Sequence, residues 1–178
     1  MVESFETSLE VIEKKLLITI KTNLEDKNFI DFFYSLFNLS IPSVLKCERS
    51  RDYTICWMSY DELLIICDFQ LKNKIFKKFD EFKYKSKILI FDVSDTRTIF
   101  KLKGKYSKEI ISKGCPKDMS EKSFQKDSFF RSRLGNVAVA FWTLSEDSIA
   151  LMCSKSVTDF TFQWLSHSNN ELNLKNIY

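Results

Sequence analysis

The side chains most often used in catalysis are few in this sequence and widely spaced. The chain has a single histidine, His167, in a serine-rich polar segment near the C-terminus. Catalysis by a Ser–His or Cys–His pair needs a base held within hydrogen-bond reach of its nucleophile. A polar tail is a poor place to hold such a base, so we predict that His167 is exposed and has no chemical role.

Acidic side chains occur in the segment 92–97, which reads Asp-Val-Ser-Asp-Thr-Arg. One interpretation is the end of a strand, where Asp92 and Ser94 accept backbone N–H groups in a turn and Arg97 pairs with a neighbouring acid. The other is an acid site with Asp92 as its first candidate. Because no partner carboxylate is visible nearby in the sequence, we favour the turn.

A further candidate is the segment 114–119, Gly-Cys-Pro-Lys-Asp-Met, which follows a predicted short helix. Gly114 suits the left-handed position after a helix end, and the proline makes the turn rigid. Cys115 then lies at the negative end of the helix dipole, which disfavours the thiolate that a nucleophile requires. We therefore predict a structural turn in which Asp118 bonds to the backbone.

The chain has five cysteines, at positions 47, 56, 67, 115 and 153, and none of them forms a Cys-x-x-Cys pair. Those at 56 and 67 lie in apolar runs, where a free cysteine behaves as a small hydrophobic residue. We predict five reduced thiols, no metal site and a cytoplasmic protein. The first residues show no signal peptide, and no apolar run approaches the roughly 18 residues that a membrane span needs.

Composition indicates a globular chain. Of its 178 residues, 44% are hydrophobic and 15% aromatic, which excludes a disordered protein. Three glycines leave little room for a glycine-rich phosphate loop. A net charge of +3 does not predict the basic face of a nucleic-acid-binding protein. The 17 phenylalanines have two possible roles, which are to fill the core or to cover a surface meant for a partner.

Hydrophobic periodicity predicts the elements of the first half. A strand over 16–21 precedes a helix that Asn28 caps and that ends by the Ile41-Pro42 step. The apolar residues of this helix share one broad face, namely Phe29, Ile30, Phe33, Leu36 and Phe37. Two apolar runs at 53–57 and 63–67 predict a β-hairpin with a five-residue connection. The second run does not alternate, so we expect both of its faces to be covered. An amphipathic helix follows from Leu71 to Phe82.

The second half repeats this order of elements. Its predicted strands cover residues 87–93, 98–102, 128–133, 137–144 and 148–153. A short helix is predicted over 106–113, and a final helix begins near Ser156 and frays from His167 to Tyr178.

The order strand, helix, hairpin, helix therefore occurs twice. It predicts an α+β fold, with two similar halves of mainly antiparallel sheet and helices packed on it. We place the halves at residues 1–85 and 86–178 and expect them to form one compact unit.

Several segments also form a recognisable series along the chain. They are the run 92–97, Leu102-Lys103-Gly104, the run 112–119, Phe124, 131–134, Trp142, 162–165 and the upstream hairpin 57–64. In their order and spacing they resemble the gamma subunit family of heterotetrameric sarcosine oxidase. The resemblance spans about residues 16–166 and is strongest over 86–166. Ser59, Tyr60 and Leu63 depart from the family's Gly, Pro and Trp in the hairpin.

This resemblance implies a fold like that of the aminomethyltransferase (T-protein) of glycine cleavage. It also implies a complex of alpha, beta, gamma and delta subunits that converts sarcosine to glycine, passes the one-carbon unit to tetrahydrofolate and forms hydrogen peroxide. FAD, FMN, NAD, zinc and tetrahydrofolate are then expected in the other subunits. No catalytic, cofactor-binding or metal-binding residue is assigned to this chain.

The main hypothesis is therefore an accessory, non-catalytic gamma subunit whose partners are the alpha, beta and delta subunits, with neither nucleic acid nor membrane. The alternative is a free-standing folate-dependent aminomethyltransferase in which Asp92 orients the amine, an idea that rests on fold analogy. A third hypothesis, a folate protein associated with RNA or with iron–sulfur assembly, is disfavoured by the near-neutral charge.

Overall fold

The computed structural model describes residues 7–175, which form two compact units. The first unit is Lys14–Asp95, and the second combines residues 7–13 with residues 96–175. The first unit contains β2 (Lys15–Lys21), α1 (Lys27–Phe37), β3 (Cys47–Arg49), β4 (Tyr53–Ser59), β5 (Glu62–Asp68), α2 (Lys72–Glu81) and β6 (Leu89–Asp92). The second unit contains β1 (Ser8–Ile12), β7 (Arg97–Lys103), α3 (Ser107–Ser112), β8 (Phe129–Leu134), β9 (Val137–Ser145), β10 (Ser148–Ser154) and α4 (Thr158–Lys175).

Each unit is built on one antiparallel sheet. The strand order is β3-β4-β5-β2-β6 in the first unit and β8-β9-β10-β7-β1 in the second. All neighbouring strands in both sheets are antiparallel. The two orders correspond because β2 and β7 each begin the same series of one strand, one helix, three strands and one helix. The predicted α+β class, with two similar halves of antiparallel sheet, is confirmed.

The fifth strand of each sheet comes from outside that series. β1 precedes β2 in the chain but pairs with β7, and β6 precedes β7 but pairs with β2. Ile90 of β6 lies opposite Ile20 and packs on the first core. Leu9 of β1 lies opposite Leu102 and packs on the second core. The units therefore divide after residues 13 and 95, whereas the sequence indicated a division at residue 85.

The strand β5 is buried on both faces. Leu63, Leu64 and Ile65 are consecutive, so their side chains alternate between the faces of the sheet, and all three are at most 1% exposed. The absence of alternation in this run predicted that arrangement, which is confirmed.

Phenylalanines at a spacing of four attach α1 to the first core. Phe29, Phe33 and Phe37 are buried, and the ring centroids of the last two lie 4.8 Å apart. Ile30, which was expected on the same face, is 40% exposed because it lies about 100° further round the helix. The helix ends where Asn38 takes a left-handed conformation with φ 51°, four residues before the proline.

The N-terminus of α1 is capped by Asp26 and not by Asn28, as the sequence suggested. One Asp26 carboxylate oxygen accepts the N–H groups of Asn28 and Phe29, at 2.8 and 3.4 Å. These bonds satisfy two of the backbone donors that a helix start leaves without partners.

Removal of this cap is expected to destabilise the protein. Asp26→Ala should lower Tm by a few degrees, because two N–H groups lose their acceptor. Asn28→Ala is the matched control and should change Tm less, since the Asn28 side-chain amide bonds only to the Asp26 side chain, at 3.2 Å. Thermal melts followed by circular dichroism would measure both. A larger loss for Asn28→Ala would contradict the assignment of Asp26 as the cap.

The hairpin of β4 and β5 is tighter than its apolar residues predicted. Its strands extend through Ser59 and Glu62, which lie opposite each other, so only Tyr60 and Asp61 remain in the connection. The five-residue connection that the sequence indicated is wrong, because the ladder continues through polar positions that carry no hydrophobic signal.

The final helix also continues beyond its expected end. The sequence predicted a frayed segment from His167, but α4 extends past it. Lys113 donates through Nζ to the carbonyl of Ser168 at 3.1 Å, and the Asn169 amide donates to a backbone carbonyl just before β1 at 2.7 Å. These two hydrogen bonds fix the C-terminal part of α4, which hydrophobic periodicity does not predict. The last three residues of that prediction, 176–178, lie outside the described part of the chain.

Candidate functional site

Asp92, the first carboxylate suspected from the sequence, is engaged at both of its oxygens. It ends β6, where Nζ of Lys72 lies 2.6 Å from Oδ2. The backbone N–H of Ser94 donates to Oδ1 at 2.9 Å, and the Ser94 hydroxyl donates to the same oxygen. The predicted strand-end turn is confirmed. Lys72 was not foreseen as its partner, because the pair is formed by an α2 residue twenty positions away in the sequence.

Ser94 connects this turn to β2, the strand that pairs with β6. Its hydroxyl oxygen accepts the N–H of Leu17 in β2 at 3.0 Å, and Val93 donates its own N–H to the Leu17 carbonyl at 2.8 Å. The segment after β6 is therefore fixed to β2, and the Lys72 ion pair ties the start of α2 to the same point. These contacts give Asp92 a positioning role within the first unit.

The electrostatics of Asp92 favour its charged form. Burial raises the pKa of this carboxyl group, but hydrogen bonds from Lys72 and Ser94 outweigh that effect, and the pKa lies below its ordinary value. A general acid at neutral pH needs the opposite shift. Asp92 is thus suited to a permanent ion pair.

Arg97, in the second unit, was expected to pair with an acidic side chain but donates hydrogen bonds to uncharged oxygen atoms. The guanidinium of Arg97, at the start of β7, donates to the hydroxyl of Ser154 at 3.3 Å and to the carbonyl of Thr96 at 3.4 Å. In the first unit the corresponding strand ends carry an ion pair between Lys15 and Asp68. The predicted pairing of Arg97 with an acid is therefore wrong, since the end of β10 supplies a serine.

Gly114 is not in the left-handed region that its position after α3 predicted. Its φ is not positive, unlike that of Gly104 or Gly135. A Cβ atom at Gly114 would lie 2.5 Å from Cζ2 of Trp164, a residue of α4 that packs against the second core. The prediction of a left-handed glycine is wrong, and the structural reason for this glycine is the close approach of an aromatic ring.

The rest of this turn behaves as a structural element. Cys115 is buried, and its sulfur lies 3.4 Å from the hydroxyl oxygen of Ser132. Asp118 accepts the backbone N–H of Ser120 at 2.8 Å, and its other oxygen accepts the Ser120 hydroxyl at 3.0 Å. The backbone bond predicted for Asp118 is confirmed. These hydrogen bonds hold the pKa of Asp118 below its usual value.

A small polar groove lies beside the loop that joins β7 to α3. Its volume is about 190 Å³, and Lys108, Glu121, Glu146 and Asp147 are among the residues that line it. A drug-sized ligand pocket is typically ~300–1,000 Å³ and mostly apolar. Ser107 and Gly104 also line it, and the Ser107 hydroxyl donates to the Gly104 carbonyl at 2.7 Å. The groove has mixed charge and internal hydrogen bonds, and no sequence motif predicted it.

His167 is exposed on α4. Among the described residues there is no group of three His, Cys, Asp or Glu side chains that could hold a metal ion. The described helices include none that is both long and apolar enough to cross a lipid bilayer.

These observations define the class of the protein. It is an α+β protein of two units with the same series of elements, and the sheet of each unit is completed by one strand from outside that series. The acidic and thiol groups singled out from the sequence, at Asp92, Cys115 and Asp118, are engaged in contacts that fix turns.

Comparison with solved structures supports this fold. The chain is similar to a chain of the heterotetrameric sarcosine oxidase from Corynebacterium sp. U-96 in complex with pyrrole 2-carboxylate. The TM-score is 0.82 and the sequence identity 18%, and the match covers 93% of this chain and 84% of that one. It is also similar to aminomethyltransferase T of the glycine cleavage system from Bartonella henselae, with a TM-score of 0.65 and 8% identity, covering 90% of this chain and 45% of that one. The expected aminomethyltransferase-like fold is confirmed.

Comparison with protein families gives a more specific result, while a comparison with curated protein sequences gives no match. The model of the sarcosine oxidase gamma subunit family matches residues 21–171. The chain belongs to this family, and the resemblance seen in the sequence over residues 16–166 is confirmed.

Proposed function

We propose that this chain is the accessory gamma subunit of a heterotetrameric sarcosine oxidase and that it assembles with alpha, beta and delta subunits. The observation that carries the proposal is the family match over residues 21–171. The fold shared with a chain of a heterotetrameric sarcosine oxidase, at a TM-score of 0.82, supports it.

In this proposal the chemistry belongs to the other subunits. They would bind FAD, FMN, NAD, zinc and tetrahydrofolate, and would oxidise sarcosine to glycine with formation of hydrogen peroxide. This chain would contribute no active site of its own. Two observations support the absence of an active site in this proposal. Asp92 forms an ion pair with Lys72, and Cys115 is buried beside Ser132. The location would be cytoplasmic, which suits five buried cysteines that are all free thiols.

Copurification tests the proposal. The tagged chain should be expressed together with candidate alpha, beta and delta subunits from the same organism, with an untagged chain as the control for binding to the resin. We expect the four chains to elute together with sarcosine oxidase activity. Recovery of the tagged chain alone, under conditions where the other three assemble, would refute the proposal.

The alternative of a free-standing folate-dependent aminomethyltransferase has one supporting observation, the fold shared with aminomethyltransferase T over 90% of this chain. That protein is longer, since the match covers 45% of it. The isolated chain can be titrated with tetrahydrofolate while the fluorescence of Trp57, Trp142 and Trp164 is followed. We expect no saturable change at millimolar ligand, and a saturable change would favour the alternative.

A further inference from the structure

Two cysteines face each other at the edge of the first sheet. Cys47 of β3 lies directly opposite Cys56 of β4, and their sulfur atoms are 2.8 Å apart. Both side chains are buried, with exposures of 2% and 0%. No sequence motif predicts this pair, because nine positions separate its members and only the antiparallel register brings them together.

The backbone geometry of this position suits a disulfide. Residues directly opposite each other in antiparallel strands have Cα atoms about 4.5–5.5 Å apart, within the ~4.4–6.8 Å that disulfides span. A disulfide bond is about 2.05 Å long, so the sulfur atoms of Cys47 and Cys56 need to approach by less than 1 Å. Small rotations of the two side chains can supply that movement without a change of register.

The other three cysteines have neighbours of a different kind. Cys67 lies opposite Tyr53 in β4, Cys153 lies opposite Val139 in β9, and Cys115 contacts a serine hydroxyl. Proximity to a second sulfur therefore distinguishes Cys47 and Cys56 from the remaining thiols of the chain.

The surroundings of the pair determine when it can react. Burial and the neighbouring Cys47 thiol raise the pKa of Cys56, although the charge of Arg49 acts in the opposite direction. Cys56 is therefore protonated at rest, and its thiolate, the form that reacts in disulfide exchange, is scarce. The strand β3 has only three residues and lies at the edge of its sheet. Local opening of such an edge costs little free energy and would expose Cys47 to a reagent.

We infer that Cys47 and Cys56 are a reversible disulfide site that links β3 covalently to β4 when the protein meets a small-molecule disulfide such as glutathione disulfide. The Cys47 sulfur attacks that disulfide and releases one glutathione thiol. The Cys56 sulfur then attacks the mixed disulfide and releases the second. The two cysteines are oxidised by two electrons, glutathione disulfide is reduced, and both thiol protons end on the released glutathione molecules.

The bridge should stabilise the protein measurably. It closes a loop of ten residues, from Cys47 to Cys56, and so restricts the unfolded chain. For a chain of this length we expect Tm to rise by on the order of 5 °C on oxidation. The inference does not depend on assembly with other subunits, because both cysteines belong to the first unit.

Equilibration of the full chain with glutathione tests the inference. One sample begins as the native reduced protein and the other is refolded from the denatured reduced state, so that burial of the thiols does not decide the result. Both are brought to equilibrium in a mixture of reduced and oxidised glutathione, blocked with N-ethylmaleimide and digested with trypsin without reduction. Cleavage after Lys46, Arg49 and Arg51 separates the two cysteines, so a bridge joins two peptides.

We expect both samples to converge on one species in which Cys47 is linked to Cys56 and the other three thiols carry the blocking group. Cys47→Ser should abolish the bridge, and the matched control Cys153→Ser should retain it. The inference is overturned if both samples keep five free thiols, if they stop at glutathione adducts, or if the bridges join other cysteines. Tandem mass spectrometry of the bridged peptides from the unsubstituted chain decides the result even if a variant folds poorly, because it distinguishes Cys56 from Cys67 within the tryptic peptide 52–72.

Discussion

Gly114→Val is expected to destabilise the protein by about 3 kcal/mol, because it forces a side chain into an occupied space. The first added atom would lie 2.5 Å from Cζ2 and 3.0 Å from Cη2 of Trp164. The backbone has little freedom to move away, since the Gly114 carbonyl accepts the N–H of Gly135 at 2.8 Å and its own N–H donates to Ile111 at 3.2 Å. At roughly 2–4 °C per kcal/mol, Tm should fall by about 6–12 °C.

A double-mutant cycle identifies the cause. In a Trp164→Leu background the smaller side chain relieves the overlap, so Gly114→Val should cost clearly less there than in the unsubstituted protein. Gly135→Ala is a control of another kind, because Gly135 has φ +58° and no atom within 4 Å of an added Cβ. Its cost should be only that of a left-handed alanine, about 1 kcal/mol. Equal costs of Gly114→Val in both backgrounds would contradict the steric explanation.

The case of Gly114 shows what local sequence signals can and cannot provide. A glycine after a short helix is typical of a left-handed helix end, and the sequence indicated correctly that a turn begins here. The contact that requires the glycine is made by Trp164, fifty positions further along the chain. Only the packing of α4 reveals it, because no local pattern encodes a close approach between distant residues.

The fold was predictable where burial leaves a regular pattern. The phenylalanines of α1 at a spacing of four and the continuous apolar run of β5 both gave the correct element. β1 and β3 were not predicted, because they are short edge strands in which polar residues such as Glu10 and Glu48 interrupt the apolar signal. The pairing of β1 with β7 and of β6 with β2 is a long-range choice that periodicity does not specify.

The candidate site was predictable only in its local part. The turn formed by Asp92 and Ser94 follows from residue types two positions apart, since such side chains bond to nearby backbone N–H groups. The contact with Lys72 and the bond from Leu17 to Ser94 depend on how α2 and β2 are placed. The sequence therefore identified the residues of the turn, whereas only the structure identified the partners that make Asp92 a structural group.

Asp92→Asn separates a structural role from a chemical one. The substitution keeps the shape of the side chain and removes the charge that pairs with Lys72, at 2.6 Å in the native protein. We expect the free energy of unfolding to fall by about 1–2 kcal/mol, because a partly buried charged contact is lost. Oxidase activity of the assembled complex should not change, since Asp92 acts by holding β6 and α2 in place. Loss of turnover in a fully assembled complex would contradict this role.

The dependence on pH provides an independent check with a defined sign. The folded-state pKa of Asp92 lies below its unfolded value, which is about 3.9 for an aspartate, so its stabilising contribution is complete above that pH. The contribution is lost as the pH falls through the folded-state pKa, where the carboxylate takes up a proton in both states. The difference in Tm between the native chain and Asp92→Asn should therefore be constant near neutrality and should shrink in acid below about pH 4.

Lys72→Met is the matched variant, and in its background Asp92→Asn should lower the free energy of unfolding by less at pH 7. A Tm difference that grows on acidification would show that Asp92 is protonated in the native state and would refute the ion pair with Lys72.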